Sequence, residues 1–245
     1  MTLATTHGHL LGGRLRYAQP ESGFRSGIEP VLLAASIPAR AGQHVLEAGT
    51  GAGAALLCLC ARVPGVRTVG IEIDGALAQV AQENARANGF SSCEIIAGAV
   101  ETAALAQPFD HALANPPYHA PDGTLSPVAA RETAKRGSDA LMHVWIARLG
   151  AALRSRGSLT LIVQAGMVPA CLAAMTEAGT PCTAIFPLWP KAGRPARLVL
   201  LRGIRQARAQ MRLMPGLVLH QPDGSFTREA QAVLREGTEL AVEQA

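Results

Sequence analysis

From His44 to Arg202 the chain alternates short β-branched runs with longer runs rich in Ala and Leu. No other feature restricts the fold as much, because strands and helices in succession build βαβ units around a parallel sheet. "HVLEAG" (44–49) reads as the opening strand of the series, followed by a helix through "AALLCLCARV". "VRTVGIEI" (66–73) is a second strand, and "ALAQVAQENARAN" (76–88) a helix closed by Gly89, a residue suited to the left-handed C-terminal cap. "CEIIAG" (93–98) and "FDHALA" (109–114) supply the third and fourth strands. A polar segment then leads to the helix "ALMHVWIARLGAAL", the strand "SLTLIVQ" (158–164), a helix over 167–178, and strands over 182–187 and 196–202. The expected class is α/β, with helices on both faces of a mostly parallel sheet.

A small hairpin and a helix ("EPVLLAAS") precede this series. Residues 1–43 are thus expected as an N-terminal unit, 44–203 as the core and 204–245 as a C-terminal extension, all within one domain. The extension holds the apolar run "GLVLH", a turn at Pro222-Asp223-Gly224 and a short helix capped by Thr227. With 245 residues, 49% of them hydrophobic, the chain can bury a substantial core. It has no uncharged apolar stretch of about 18 residues, so no membrane span is expected. The N-terminus "MTLATTHGHLLGGRLRYAQP" lacks the basic-then-apolar layout of a signal peptide, which makes the cytoplasm the default compartment.

Cys58, Cys60, Cys93, Cys171 and Cys182 form no C-x-x-C pair and read as buried free thiols rather than disulfides or metal ligands. His7 and His9 are a weak metal pair, better read as part of a mobile terminus, so no metal is expected. Net charge is +4, and residues 191–212 carry Lys191, Arg194, Arg197, Arg202, Arg205, Arg208 and Arg212 with no acid. A solvated basic face and a nucleic-acid contact account for that run equally well.

Between the first strand and its helix lies "EAGTGAG", Glu47 to Gly53. Glycines there let a backbone approach a ligand closely and present amide donors at a helix N-terminus. Gly49, Gly51 and Ala54 also satisfy a loose dinucleotide fingerprint, so the loop alone leaves nicotinamide and other adenosyl ligands open. Glu72, ending the second strand, stands where a carboxylate accepts hydrogen bonds from both ribose hydroxyls. A solvated glutamate fits less well, because "VGIEID" is otherwise apolar until Asp74. Glu47 discriminates further. A carboxylate beside the loop repels a pyrophosphate but suits the cationic amino group of a methionine moiety, which favours S-adenosylmethionine over NAD.

The fourth strand runs straight into Asn115-Pro116-Pro117-Tyr118. Two prolines remove two backbone donors and fix two φ angles, so the strand ends there. A strand terminator with a surface tyrosine is the plainest reading. If the fourth strand lies beside the first, however, Asn115 emerges at the carboxyl edge of the sheet, where open α/β sheets bind ligands. The Asn115 side-chain oxygen and the Pro116 carbonyl would each accept one hydrogen of a planar amino group. That aims its lone pair at an electrophile and stabilises positive charge on nitrogen. Pro117 stiffens the cradle, and Tyr118 offers a base a stacking face, worth about 1–3 kcal/mol in single-strand binders.

"EAGTGAG", "GIEID" and "NPPY", in this order, resemble the class I S-adenosylmethionine-dependent methyltransferases that modify amino nitrogens. With "GFRSGIEPVLLAAS", "ARE" (130–132) and the tail "LMPGLVLHQPDGSFTREAQAVL", the chain is similar over nearly its whole length to the bacterial tRNA adenine-N6 methyltransferases of valine tRNA. The resemblance implies a Rossmann-like fold with a seven-stranded, mostly parallel sheet and a reversed C-terminal hairpin. It implies S-adenosylmethionine as cofactor, and RNA, at the tRNA anticodon region, as partner. By the same resemblance the catalytic set is Asn115, Pro116, Pro117 and Tyr118. The cofactor set is Arg25, Gly27, Glu47, Gly49, Thr50, Gly51, Gly53, Glu72, Ile73, Ala99, Val100 and Asn115. Two positions depart from the family pattern: Ala99 stands where an acid usually contacts the cofactor adenine, and Ile28 precedes Glu29 where a small hydroxyl residue is usual. Both bear on cofactor affinity and on the choice of substrate.

Other readings remain at this level, among them an amino methyltransferase of small molecules. Glutamine-N5 methyltransferases of release factors use a similar tetrad but carry a helical domain ahead of the core, for which 43 residues are too few. DNA amino methyltransferases must flip a base out of a duplex, at greater cost than an unstacked anticodon-loop base. A protein that binds S-adenosylmethionine or RNA without catalysis is favoured by Ala99 and opposed by the intact tetrad.

Overall fold

The computed structural model describes residues 3–22, 25–105, 108–116 and 127–243, with backbone alone for 127–139. The chain enters through a hairpin, β1 (Thr5–Leu10) and β2 (Leu15–Pro20), paired antiparallel along its whole length. His7 and His9 therefore lie on a strand, not on a mobile terminus; the backbone ladder to β2 is what orders them. Next come α1 (Glu29–Ser36), β3 (His44–Ala48), α2 (Ala54–Arg62), β4 (Arg67–Glu72), α3 (Gly75–Ala87), β5 (Cys93–Ala97) and β6 (Phe109–Ala114). They are followed by α4 (Pro127–Ala152), β7 (Leu153–Gln164), α5 (Val168–Glu177), β8 (Cys182–Lys191) and β9 (Leu198–Ile204). Two short strands, β10 (Arg212–Leu213) and β11 (Leu217–His220), and the turn of helix α6 (Arg228–Gln231) lead to the C-terminal segment.

The main sheet is ordered β10-β8-β9-β7-β6-β3-β4-β5, with β11 also on β8. Among the described strands of this sheet only β9 runs against its neighbours, antiparallel to both β7 and β8. This is the Rossmann-like class I methyltransferase arrangement with its reversed C-terminal hairpin. It has nine strands where seven were expected, because β10 and β11 both add to the outer edge of β8: Arg212 lies opposite Ala184, and Leu217 opposite Leu188. Strand order reverses between β3 and β6, creating the crevice in which such sheets take ligands.

The strands are covered on both faces, so successive residues of one strand feed opposite cores. Val45 packs with Leu32, Leu33, Leu56 and Leu57 on the α1–α3 side. Its neighbour Leu46 packs with Trp145, Ile146 and Leu149 on the α4–α5 side. All five cysteines are free and buried. Helix α4 begins at Pro127, well before the expected start at Ala140. A proline in the first turn loses no helical hydrogen bond, and Ala129, Ala130, Arg131, Glu132, Ala134 and Lys135 are good helix formers, so polarity alone misreads the segment as loop.

Candidate active site

Ala48 pairs with Ala114, so Gly49 and Asn115 leave the sheet side by side, about 5 Å apart by strand spacing. β6 stops at Ala114 as the prolines require; Asn115 is half-buried and Pro116 buried. Pro117 and Tyr118 lie outside the described residues.

The glycine loop turns through left-handed backbone at Gly49 (φ 65°), Gly51 (φ 58°) and Gly53 (φ 88°). Gly49 is also required by packing: a Cβ there would sit 2.5 Å from Cη2 of Trp145, which reaches over from α4. A Cβ on Gly51 would meet nothing within 4 Å, so the loop faces open space there. The loop is tied to β4 by the Thr50 amide, which donates to the Ile71 carbonyl at 3.0 Å, and Gly53 starts α2.

Glu47 is only 3% exposed, and its Oε2 accepts from the Thr50 hydroxyl at 2.6 Å. Burial pushes its carboxyl up to about 8 against the Thr50 hydrogen bond, with the charges of Cys93 and Glu72 adding to the rise. The carboxyl is therefore protonated near neutral pH until a cation sits beside it. Glu72, also buried, is clamped by backbone amides: Gly51 donates to Oε2 at 2.8 Å and Asp74 to Oε1 at 3.0 Å. Each of its oxygens keeps a lone pair for a further donor. Asp74 then caps α3 through the amides of Ala76 and Leu77. Ile73, between them, is 76% exposed, an apolar face at the open end of the crevice.

The Gly98 amide donates to the Glu72 carbonyl at 2.8 Å, which brings the turn after β5 beside Glu72. Ala99 is half-buried there, whereas the Val100 side chain points into the α4–α5 core. Arg25 and Gly27 are exposed and flank Ser26, whose hydroxyl shares a 2.7 Å hydrogen bond with that of Tyr17. Tyr17 is buried, which pushes its phenol up to about 12 against that hydrogen bond, with the charges of Cys58 and Glu47 adding to the rise. The segment is thereby anchored within electrostatic reach of Glu47.

Sequence reasoning passed over two residues that build this crevice. Trp145 fixes Gly49, as described. Asn84 on α3 is 4% exposed and fully engaged: Oδ1 accepts from the Ala18 amide at 2.8 Å, and Nδ2 donates to the carbonyls of Ala18 (2.8 Å) and Ala52 (2.9 Å). It joins the N-terminal hairpin to the glycine loop. One turn on, Asn88 makes the same two-bond pair with Arg16. The available signal was an amide on the apolar face of a helix, one turn from Val80 and Ala81.

A cavity of about 440 Å³ opens at the opposite, amino edge of the sheet, lined by His44, Arg67, Glu94, Ile96, Leu105 and Phe109. None of the expected site residues that the structure describes borders it. Among the described residues no group of three or more His, Cys, Asp or Glu could hold a metal ion, and no helix is long and apolar enough to cross a membrane.

The family model for the methyltransferase small domain matches residues 28–170. The chain is 35% identical over 158 residues to the tRNA1(Val) (adenine(37)-N6)-methyltransferase of Porphyromonas gingivalis, covering 57% of this chain and 58% of that protein. It is 40% identical over 100 residues to the release factor glutamine methyltransferase of Rhodospirillum rubrum, covering 40% of this chain and 31% of that one. The chain thus spans less than two thirds of either relative. Its fold is similar to that of a crystal structure from Agrobacterium tumefaciens described as a predicted O-methyltransferase. The TM-score is 0.69 at 23% identity, over 87% of this chain and 98% of that one.

Proposed function

The chain belongs to the methyltransferase small domain family, and on that premise we propose that it moves a methyl group from S-adenosylmethionine to an exocyclic amino nitrogen, adenine N6 of a tRNA. The observation that carries the reading is the Ala48–Ala114 pairing, which sets the Asn115-Pro116 cradle beside the glycine loop. The residues present fit the cofactor. Glu47 suits its cationic amino group, Glu72 retains acceptor sites for a ribose diol, open space faces Gly51, and Ile73 offers an apolar face for a base. When bound, S-adenosylmethionine supplies an electrophilic methyl group on a sulfonium. Asn115 and Pro116 hold the two hydrogens of the acceptor amino group, so its lone pair projects into the crevice and the charge growing on nitrogen meets two fixed dipoles. Thr50 and the two amides on Glu72 keep both carboxyl groups in place before any ligand arrives.

The longer match to the tRNA enzyme supports RNA as acceptor. The match to a release factor glutamine methyltransferase supports a second reading, a protein amide nitrogen. Incubation with methyl-labelled cofactor and unmodified bulk tRNA, followed by digestion to nucleosides, tests the first: label in 6-methyladenosine is expected. Label found only on a glutamine side chain of a protein acceptor would establish the second.

A further inference from the structure

The β8–β9 hairpin stands beside the proposed active site as a wall, and its height follows from strand register. Ala114 pairs with Leu161, Leu161 with Leu201, and Leu201 with Ile185, so these four residues share one level of the sheet. β6 ends at that level, but β8 continues six residues to Lys191, about 20 Å further at about 3.3 Å per residue. β11 backs the projecting part, Leu217 lying opposite Leu188 and His220 opposite Lys191. The wall is cross-tied by Trp189 Nε1 to the Pro215 carbonyl (3.0 Å), Lys191 Nζ to the Pro222 carbonyl (2.9 Å) and His220 Nδ1 to the Pro190 carbonyl (3.1 Å).

Its crest is a turn closed by the Arg194 amide on the Lys191 carbonyl at 3.1 Å and anchored by the Ala165 amide on the Arg197 carbonyl at 2.8 Å. Arg194 and Arg197 are exposed there, and their guanidinium groups make no ion pair or hydrogen bond with the described residues. Near Lys191 lies Asp223, whose carboxylate is held low by hydrogen bonds from Ser225 and, less, by Lys191. Among the described residues Lys191 and Asp223 offset each other, and the two arginines remain as exposed cations at the crest.

The rest of the basic run points elsewhere. Arg202 is 3% exposed and donates to the Thr160 hydroxyl and the Ser36 carbonyl; Arg205 donates to the Gly150 carbonyl. Arg208 follows the end of β9, which is antiparallel and finishes at the opposite edge of the sheet. β8 lies three strand spacings from β6, about 14 Å, and its crest stands up to about 20 Å above the end of β6, so the two arginines are placed for RNA a few nucleotides away from a base held at Asn115.

We propose that Arg194 and Arg197, on the rigid β8–β11 wall, grip backbone phosphates of the RNA flanking the target adenine. This rests on the reading of the chain as an RNA methyltransferase. Guanidinium groups suit the partner because they bind phosphate oxygens bidentately and stay charged.

The test compares R194Q/R197Q with R40Q/R208Q, two exposed arginines at the amino edge, in binding unmodified tRNA over a range of salt. The crest pair is expected to weaken tRNA binding about tenfold near physiological salt and to flatten the log–log salt slope by about 1.4, or 0.7 per phosphate. Cofactor affinity and kcat at saturating tRNA should be unchanged, and the control pair should alter nothing. Equal effects from both pairs, or normal tRNA binding by the crest pair while the wild type methylates tRNA, would overturn the wall and leave the proposed activity standing. Crest variants that lose a protein acceptor while binding tRNA normally would overturn it in favour of a protein partner. Wild-type protein that neither binds nor methylates tRNA overturns the parent reading as well, and shows it without any variant.

Discussion

Glu47 is the position at which burial and ligand charge oppose each other most directly. Its folded value of about 8 lies above the ordinary 4.5, so the folded chain holds a proton that the unfolded chain releases across that interval. Stability of the ligand-free protein should accordingly fall as pH rises from about 4.5 to about 8, and Glu47→Gln should remove the slope in denaturation curves. A cationic ligand reverses the preference. S-adenosylmethionine affinity should rise with pH between about pH 6 and about pH 7, below the ligand amine's own titration, by at most about tenfold per unit, with proton release visible by calorimetry. In Glu47→Gln both effects should vanish. Asn115 answers to a different test, because the proposed function has its oxygen hold the acceptor amino group. Asn115→Ala should lower kcat by about a hundredfold to a thousandfold while leaving cofactor Kd within about twofold. Equal loss of both would make it a cofactor ligand instead.

At the scale of elements, the crevice depends on α3 holding two other segments in place. The Asn84 amide substitutes for a strand partner of β2 and at the same time takes the Ala52 carbonyl of the glycine loop. Asn84→Ala would take a partner from three backbone groups, the buried Ala52 carbonyl and the part-buried amide and carbonyl of Ala18, at up to about 1–3 kcal/mol each before relaxation. A loss of about 3 kcal/mol in denaturant unfolding is expected, together with weaker cofactor binding. Asn84→Asp should be worse, since a carboxylate would face the carbonyls of Ala18 and Ala52. Asn88→Ala, at a half-buried position, should cost about 1 kcal/mol and spare the cofactor. Equal effects on affinity from both alanines would remove the case for Asn84 as a positioning residue.

Across the whole molecule, the N- and C-terminal segments close over one buried charge. Arg202 is pulled down to about 10 by burial, while Glu243 and Glu239 favour its charged form. The segment that carries those acids docks through Leu240, whose amide donates to the Ala35 carbonyl at 2.9 Å, through fully buried Val242, and through Glu243 on the Thr183 hydroxyl. The preceding turn meets the N-terminal hairpin, where Arg14 donates to the Glu236 carbonyl at 2.6 Å. Removing residues 238–245 should therefore destabilise the protein by about 3–5 kcal/mol in thermal or denaturant unfolding, since it strands a buried cation as well as exposing apolar surface. Arg202→Met should recover part of that loss in the truncated chain; no recovery would mean that the acids do not compensate Arg202.

The sequence by itself determined the parts whose cause is local. Alternating runs identify strands and helices because each periodicity is set within one element. "EAGTGAG" marks a tight loop because left-handed backbone selects glycine residue by residue. Two prolines end β6 wherever it lies. Even here polarity misled, since Pro127 and the alanines after it continue a helix through a segment that reads as loop. Tertiary structure alone decided how far β8 overshoots β6, and why a basic run that looks continuous is split between a crest, a buried network and the opposite edge. The edge additions of β10 and β11, the amide of Asn84 between hairpin and loop, and Trp145 over Gly49 belong to the same class. Each depends on the register between strands or on contacts between residues far apart in sequence, and no local pattern encodes which residues a long-range pairing will set side by side.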